Sequence, residues 1–145
     1  MSEAKEYLEQ IKWLDVLIDS KLEEMTALQA LVTRITPVMK QSGGSGGTGN
    51  QDRLGDAVAK IADLDEEINR NVDILVDMKR EAAALLKRIK HADYYKVLHK
   101  RYVLYESFEK IATEMGITYR GACYVHGRAL QAFDKVLEEH RKKRD

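Results

Sequence analysis

The stretch that decides the fold is FEKIATEMGITYRGACYVHGRAL, Phe108 to Leu130, where two apolar helical patterns meet at Gly-Ile-Thr. Apolar side chains recur at spacings of three and four on both sides, which places them on one face of each helix. Ser107 and Thr118 are residues suited to cap the two helices at their starts. Gly116 follows the first helix, where a left-handed backbone favours glycine. The small side chain of Ala112 allows the two helices to cross closely.

This pattern predicts a helix-turn-helix, with one apolar turn residue, Ile117, pointing inward. Another helix precedes it, in YYKVLHKRYVL, with Asp93 as its expected cap and Tyr94 or Tyr95 partly inward. Residues 91–145 are therefore expected to form a three-helix domain. The inward residues predicted for these helices are Val97, Leu98, Tyr102, Phe108, Ile111, Ala112, Met115, Ala122, Val125, Ala129, Leu130, Phe133 and Leu137.

Residues 1–90 have the heptad patterns of two long helices on either side of the linker-like segment QSGGSGGTGN. Pro37 is expected to end the first helix, and Asn50 and Asp52 to start the second, with a loop over 38–51. Helices of 35 to 40 residues would each be roughly 50 to 60 Å long. Because the connection is short, we expect an antiparallel helical hairpin, and the fold class as a whole is all-α.

A hairpin of two helices leaves part of a wide apolar stripe uncovered, so the sequence predicts a homodimer or a higher oligomer. The alternative is a monomer whose hairpin folds back on the C-terminal domain. Trp13 lies beside the first stripe and is expected to anchor the interface. The predicted interface residues are Ile11, Trp13, Leu14, Ile18, Met25, Leu28, Ile61, Leu64, Ile68 and Leu75.

The net charge of zero argues against a protein that coats nucleic acid without selectivity. The charge is uneven, however: residues 91–145 hold eleven Lys and Arg against eight Asp and Glu, together with all four histidines. The C-terminal part is therefore the end expected to face a polyanion. HRKKR near the C-terminus is either a segment that follows DNA or a solvated end.

Several classes are disfavoured by what the sequence lacks. The start, MSEAKEYLEQ, does not resemble a signal peptide, and no apolar run approaches the roughly 20 residues of a membrane span. One cysteine, Cys123, fits a reducing compartment, so a cytoplasmic protein with no membrane partner is expected. Cys123 and His126 are too few for a zinc site, and no metal or other cofactor is expected. No phosphate-binding loop or nucleophile-base set is recognisable, so we do not expect an enzyme.

The segment KVLHKRYVLYESFEKIATEMGITYRGACYVHGRALQAF resembles region 4 of bacterial sigma factors, in its VLxxRY helix, its SFEKIA helix and its GIT turn. Over the whole chain the sequence resembles small phage and prophage proteins with a coiled-coil N-terminal half, akin to the ArpU- and RinA-type regulators of late phage genes. EYLEQIKWLD and AVAKIADLDEEIN carry that second resemblance. It implies a phage-type transcription regulator in a bacterial host cell. The partners it implies are double-stranded DNA and RNA polymerase.

By this resemblance, the start of the last helix would read base edges, and the start of the preceding helix would meet phosphates. Position 120 is basic where sigma factors are usually acidic, and Cys123 replaces a usual arginine, so the usual sigma promoter element is not the expected site. Arg120 is suited to a two-pronged contact with guanine. The implied DNA-binding residues are Arg101, Ser107, Lys110, Thr118, Tyr119, Arg120, Cys123, Tyr124 and Arg128.

Two other functions remain open from the sequence. One is phage DNA packaging, in which helix-turn-helix domains of a small-terminase-like protein surround a helical oligomer. The other is a structural coiled-coil adaptor whose three-helix domain binds protein alone. Ring assembly would favour the first, and the absence of salt-dependent DNA affinity would favour the second.

Overall fold

The computed structural model describes residues 2–41 and 48–144, and in these ranges it contains helices and no strand. The all-α prediction is therefore confirmed. Most of the linker-like segment lies outside the described residues. The five helices are α1 (Glu3–Gln41), α2 (Thr48–Leu86), α3 (Ala92–Leu98), α4 (Phe108–Met115) and α5 (Tyr119–Arg144). A π-helical turn, His99–Val103, continues α3. In the described part of the chain, no helix has an apolar stretch long enough to cross a membrane.

The first helix does not end at Pro37, so that prediction is wrong. Proline has no amide to donate to the carbonyl of Thr33, four residues earlier, and the loss of this bond usually weakens a helix. Here both residues are exposed, so water can take the place of the missing amide. The helix continues to Gln41.

The predicted start of the second helix is also wrong, and so are the two ends of the predicted loop over 38–51, because residues 38–41 and 48–51 are helical. The middle of that loop, residues 42–47, lies outside the described residues. The helix begins at Thr48, so Asn50 and Asp52 lie inside it. Residues of the capping type also occur in the first turn of helices, and helix ends shift easily by one or two residues. Residue type alone therefore does not fix this boundary.

The chain divides into two compact units, which we call the central unit (residues 14–75) and the terminal unit (residues 1–13 and 76–145). In the central unit, Lys21 Nζ lies 3.5 Å from Glu67 Oε1, so the ion pair joins α1 to α2. The side chains buried in the central unit are apolar and come from both helices. They are Ile18, Ile35, Ala57, Leu64, Ile68 and Leu75.

The terminal unit combines both ends of the chain, which differs from the expected division at residue 90. Its main cluster joins the start of α1 and the end of α2 to α3, the π-helical turn and α5. The buried members are Ala4, Leu8, Leu85, Leu86, Ile89, Leu98, Tyr102, Ala129, Leu130, Phe133, Val136 and Leu137. The Ala4 amide also donates to Asp134 Oδ1 at 2.7 Å, so α5 supplies a carboxylate to the positive end of α1.

A second cluster holds α4 in place within the terminal unit. It consists of Val97, Ile111, Ala112 and Ala122, flanked by the partly buried Phe108, Met115 and Val125. These residues face inward as the sequence predicts. Ile117 does not, since 36% of its side chain is exposed. The left-handed Gly116 before it redirects the chain, and the next helix begins only two residues later.

The cap of α3 is His91 and not Asp93. His91 Nδ1 accepts from the Tyr94 amide at 3.3 Å, and the two rings stack with centroids 3.6 Å apart. The prediction that Asp93 caps α3 was wrong. Asp is a usual cap residue and His is an uncommon one, so residue type favoured Asp93. The stacking contact with Tyr94 adds to the stability of this arrangement, and nothing in the local pattern indicates it.

Candidate nucleic-acid interface

Two hydroxyl caps and one left-handed glycine, all three predicted from the sequence, form the corner between α4 and α5. Ser107 Oγ accepts from the Lys110 amide at 3.2 Å, and Thr118 Oγ1 accepts from the Gly121 amide at 2.9 Å. Gly116 has φ 67° and ψ 34°, the left-handed conformation, and the Ile117 amide closes the turn by donating to the Ala112 carbonyl at 2.9 Å. These bonds fix the angle at which the first turn of α5 leaves the domain.

Gly121 lies at this corner because a side chain would crowd the cap. A Cβ at this position would stand 3.1 Å from Thr118 Oγ1. Gly127, by contrast, is open, since a Cβ there would have no neighbour within 4 Å. The two glycines of α5 therefore differ, because only Gly121 lies where a Cβ would be in tight contact with a neighbouring side chain.

One face of α5 carries exposed residues at a spacing of four, which we call the outer row: Arg120, Tyr124 and Arg128. Tyr124 is 67% exposed, and Arg120 forms no ion pair or hydrogen bond within the described chain. Arg128 is engaged, because the hydroxyl of Tyr94 hydrogen-bonds its guanidinium and raises its pKa. The outer row thus presents two cations and a phenol to solvent on one helix.

Arg101 has a structural task at the start of α4. Its guanidinium carbon lies 4.3 Å from the centroid of the Phe108 ring, and Nη1 donates to the Glu106 carbonyl at 3.0 Å. The contact with the ring and the hydrogen bond hold the chain that enters α4. Only the guanidinium N–H groups of Arg101 that do not bond the Glu106 carbonyl are available to a phosphate.

Acidic residues lie close to the predicted phosphate-contacting end of α4. Lys110 Nζ is 4.0 Å from Glu106 Oε1, and Lys100 Nζ is 2.8 Å from Glu114 Oε2. The bond to Lys100 lowers the pKa of the Glu114 carboxyl, and the same bond raises the pKa of Lys100. The pair of Lys100 and Glu114 joins the π-helical turn to α4, and the pair of Lys110 and Glu106 joins α4 to the segment that precedes it. They also neutralise part of the positive charge on this flank.

Tyr119 and Cys123 lie together on the side of α5 next to α4. The Tyr119 ring meets Phe108 edge-on, with centroids 6.4 Å apart. The Cys123 side chain, through its charge and a hydrogen bond, raises the pKa of the Tyr119 phenol, and the charge of Glu109 adds to this effect. The phenol therefore stays protonated and remains a hydrogen-bond donor at neutral pH.

Sequence reasoning missed the role of His126. Its Nε2 lies 2.8 Å from the Tyr102 hydroxyl, and its ring meets Phe108 edge-on at 4.9 Å. Burial, aided by the positive charges of Arg101 and Lys5, lowers the pKa of His126 to about 4. Burial also raises the pKa of Tyr102 to about 12, so both groups are neutral at pH 7. The sequence suggested His126 only as a possible zinc ligand beside Cys123, and that suggestion did not indicate its bond to Tyr102.

The residues predicted to form an oligomer interface fall into two groups. Five are buried within a single chain and are not available to a second copy: Ile11, Ile18, Leu64, Ile68 and Leu75. Four are half-buried: Leu14, Met25, Leu28 and Ile61. Trp13 is 64% exposed and is the most open of the ten. A second copy would therefore have to cover Trp13 and the half-buried side chains.

The outer row combines positive charge, a phenol and a rigid helix, and the corner at Gly116 fixes its direction. Comparisons of this chain with protein-family models, with curated proteins and with solved structures find no match.

Proposed function

We propose that this protein is a DNA-binding transcription regulator of the phage type, in which α4 and α5 form a helix-turn-helix and α5 enters the major groove. The outer row carries the proposal. Arg120 is suited to reading guanine, and Tyr124 to contacting a thymine methyl group or a phosphate. The resemblance to region 4 of sigma factors points to the same helix.

Phosphate contacts would come from the flanks of the corner. Lys110 and the first amides of α5 are accessible, since a helix start leaves backbone N–H groups without partners in the helix. Arg128 would add a contact two turns along α5. Because DNA affinity from such contacts depends on counterion release, binding should weaken steeply with salt.

We further propose that α1 and α2 pair as an antiparallel hairpin and that two hairpins associate. The hydrogen bond from the Tyr7 hydroxyl to Glu81 Oε1, 2.7 Å long, supports the antiparallel direction, because it joins the first turns of α1 to the last turns of α2. The ion pair between Lys21 and Glu67 joins the middle of each helix, as that direction requires. A dimer would present two outer rows to a DNA site with two half-sites. A sigma-like domain would also be free to contact RNA polymerase.

The test is fluorescence-anisotropy titration of labelled duplexes, selected from a random pool by the protein itself, at two salt concentrations. We expect selective binding that weakens with salt. Arg120→Ala should reduce affinity about tenfold or more for the selected site, because a two-pronged base contact contributes about 1–3 kcal/mol. It should also relax the preference at one base pair.

Arg70→Ala is the matched control, since it removes the same charge from an exposed position of α2. It should leave affinity and selectivity unchanged. Equal behaviour of the two variants, or no duplex binding at all, would contradict the proposal and favour the adaptor function. A ring of many copies in a mass measurement would favour DNA packaging.

A further inference from the structure

A small cavity lies in the terminal unit between the start of α1, the π-helical turn and α5. Its volume is about 100 Å³, so it admits a few non-hydrogen atoms. Phe108 forms part of its wall. The other lining residues are Lys5, Glu9, Lys12, Arg101, Tyr102 and His126.

The charge around this cavity is unbalanced. Three cations face one carboxylate, Glu9, and neither Lys5 nor Lys12 forms an ion pair within the described chain. Lys12 lies only loosely over the Tyr105 ring, with Nζ 5.8 Å from its centroid. Lys5 is half-buried, so part of its side chain packs against the domain beside the cavity.

The neutral residues of the cavity fix its shape. The Tyr102 hydroxyl and the His126 ring bond each other, which holds both in fixed positions at the cavity. Burial is the main cause of the low pKa of His126, and the positive charges of Arg101 and Lys5 add to it. At the neighbouring Tyr102, the charge of Glu9 raises the pKa and that of Arg101 lowers it. Cationic side chains around a partly enclosed space are a general feature of oxyanion recognition.

We propose that this cavity is a binding site for a small oxyanion of the phosphate class, held by Lys5, Lys12 and Arg101. The two lysines, seven residues apart, lie on one face of α1, and Arg101 approaches from the π-helical turn. The anion joins α1 to the chain that enters α4. The site does not rest on the proposed DNA binding, since the ion can be free in solution or belong to a nucleic-acid backbone.

The first measurement is an NMR titration of the isotope-labelled protein with inorganic phosphate at pH 7, against sodium chloride of equal ionic strength. We expect saturable shifts of the Lys5, Arg101 and His126 signals with phosphate and none with chloride. Lys5→Gln should weaken the phosphate affinity about tenfold, the factor that corresponds to one charge-assisted hydrogen bond. Lys90→Gln, an exposed lysine with the same charge change, should have no effect.

The second measurement locates the ion. A bound anion favours the imidazolium form, so saturating phosphate should move the pKa of His126 upward in the wild type and less in Lys5→Gln. Shifts that stay linear with phosphate, that chloride reproduces, or that Lys5→Gln leaves intact would overturn the site.

A third arm separates the two sources of the anion. If the phosphate belongs to DNA, free phosphate competes with a bound duplex. In that case Lys5→Gln also lowers the slope of log affinity against log salt by about 1. If the ion is free, duplex affinity is the same in the variant. A protein that binds phosphate but no duplex would retain this site and lose the proposed function.

Discussion

His126 shows how one side chain can join distant parts of the chain. It belongs to α5, bonds Tyr102 of the π-helical turn and packs on Phe108 of α4. Burial keeps the ring neutral, so its Nε2 can accept the phenol hydrogen of Tyr102. The bond therefore depends on the protonation state of a single imidazole.

This dependence predicts a pH effect on stability. The pKa of His126 falls from 6.5 to about 4 on folding, so between these values the unfolded chain takes up a proton that the folded chain does not. The free energy of unfolding should therefore decrease as the pH falls through this window. Urea denaturation of the wild type and of His126→Gln, at pH 7 and pH 5, measures the effect.

Acidic groups titrate in both proteins, so the informative quantity is the stability difference between them. The advantage of the wild type over His126→Gln should be smaller at pH 5 than at pH 7. A difference that does not change with pH would show that His126 titrates normally in the folded protein.

Residues that are close together in the sequence determine where α4 begins and ends and where α5 begins. Gly116 supplies the left-handed residue, and Ser107 and Thr118 supply hydroxyl caps. Each of these features depends only on residues within a few positions along the chain. They fix the direction of α5, and any function of the outer row depends on them.

Two glycines of this region should respond in opposite directions to the same substitution. Gly116→Ala places a Cβ on a left-handed residue and should lower the free energy of unfolding by about 1–2 kcal/mol. Gly127→Ala should raise it by about 0.5–1 kcal/mol, because this position is helical and open. Chemical denaturation of the two variants beside the wild type tests both signs. A neutral Gly116→Ala would contradict the left-handed conformation.

The difference between local signals and contacts of distant residues explains what could be predicted from the sequence. The caps at Ser107 and Thr118 and the inward faces of α4 and α5 were predictable, because their signals are local. Helix α1 continues past Pro37 because solvent has access to the backbone there, and His91 caps α3 with the help of ring stacking. The pattern of residue types along the chain indicates neither effect. The cavity at Lys5 joins residues about a hundred positions apart, so no local pattern reveals it. The DNA-reading role of Arg120 stays a prediction.

Part of the apolar surface of the long helices is exposed in a single chain. The heptad residues nearest the contact between α1 and α2 are already buried in one chain. Among the large apolar residues whose exposure the structure describes, Trp13 is second only to Tyr124 in exposed fraction. A protein that self-associates through its long helices would be expected to cover it.

Trp13 is the only tryptophan, so its fluorescence reports on its own environment. We expect the emission to shift to shorter wavelength as protein concentration rises, in step with the mass from sedimentation equilibrium. Trp13→Glu should weaken association, because it would place a charge in the interface. Lys90→Glu is the exposed-site control. Association without any change in emission would place the interface elsewhere.

The composition of the terminal unit has a consequence for how the chain folds. Its core joins Ala4 and Leu8 to Phe133 and Leu137, and the bond from Ala4 to Asp134 spans 130 residues. Contacts of such large sequence separation form late, because the intervening chain must first be closed into a loop. During synthesis the start of α1 therefore waits for α5 to leave the ribosome. Until then the end of α2 can cover only part of its apolar face, and the rest stays exposed to solvent or to a chaperone.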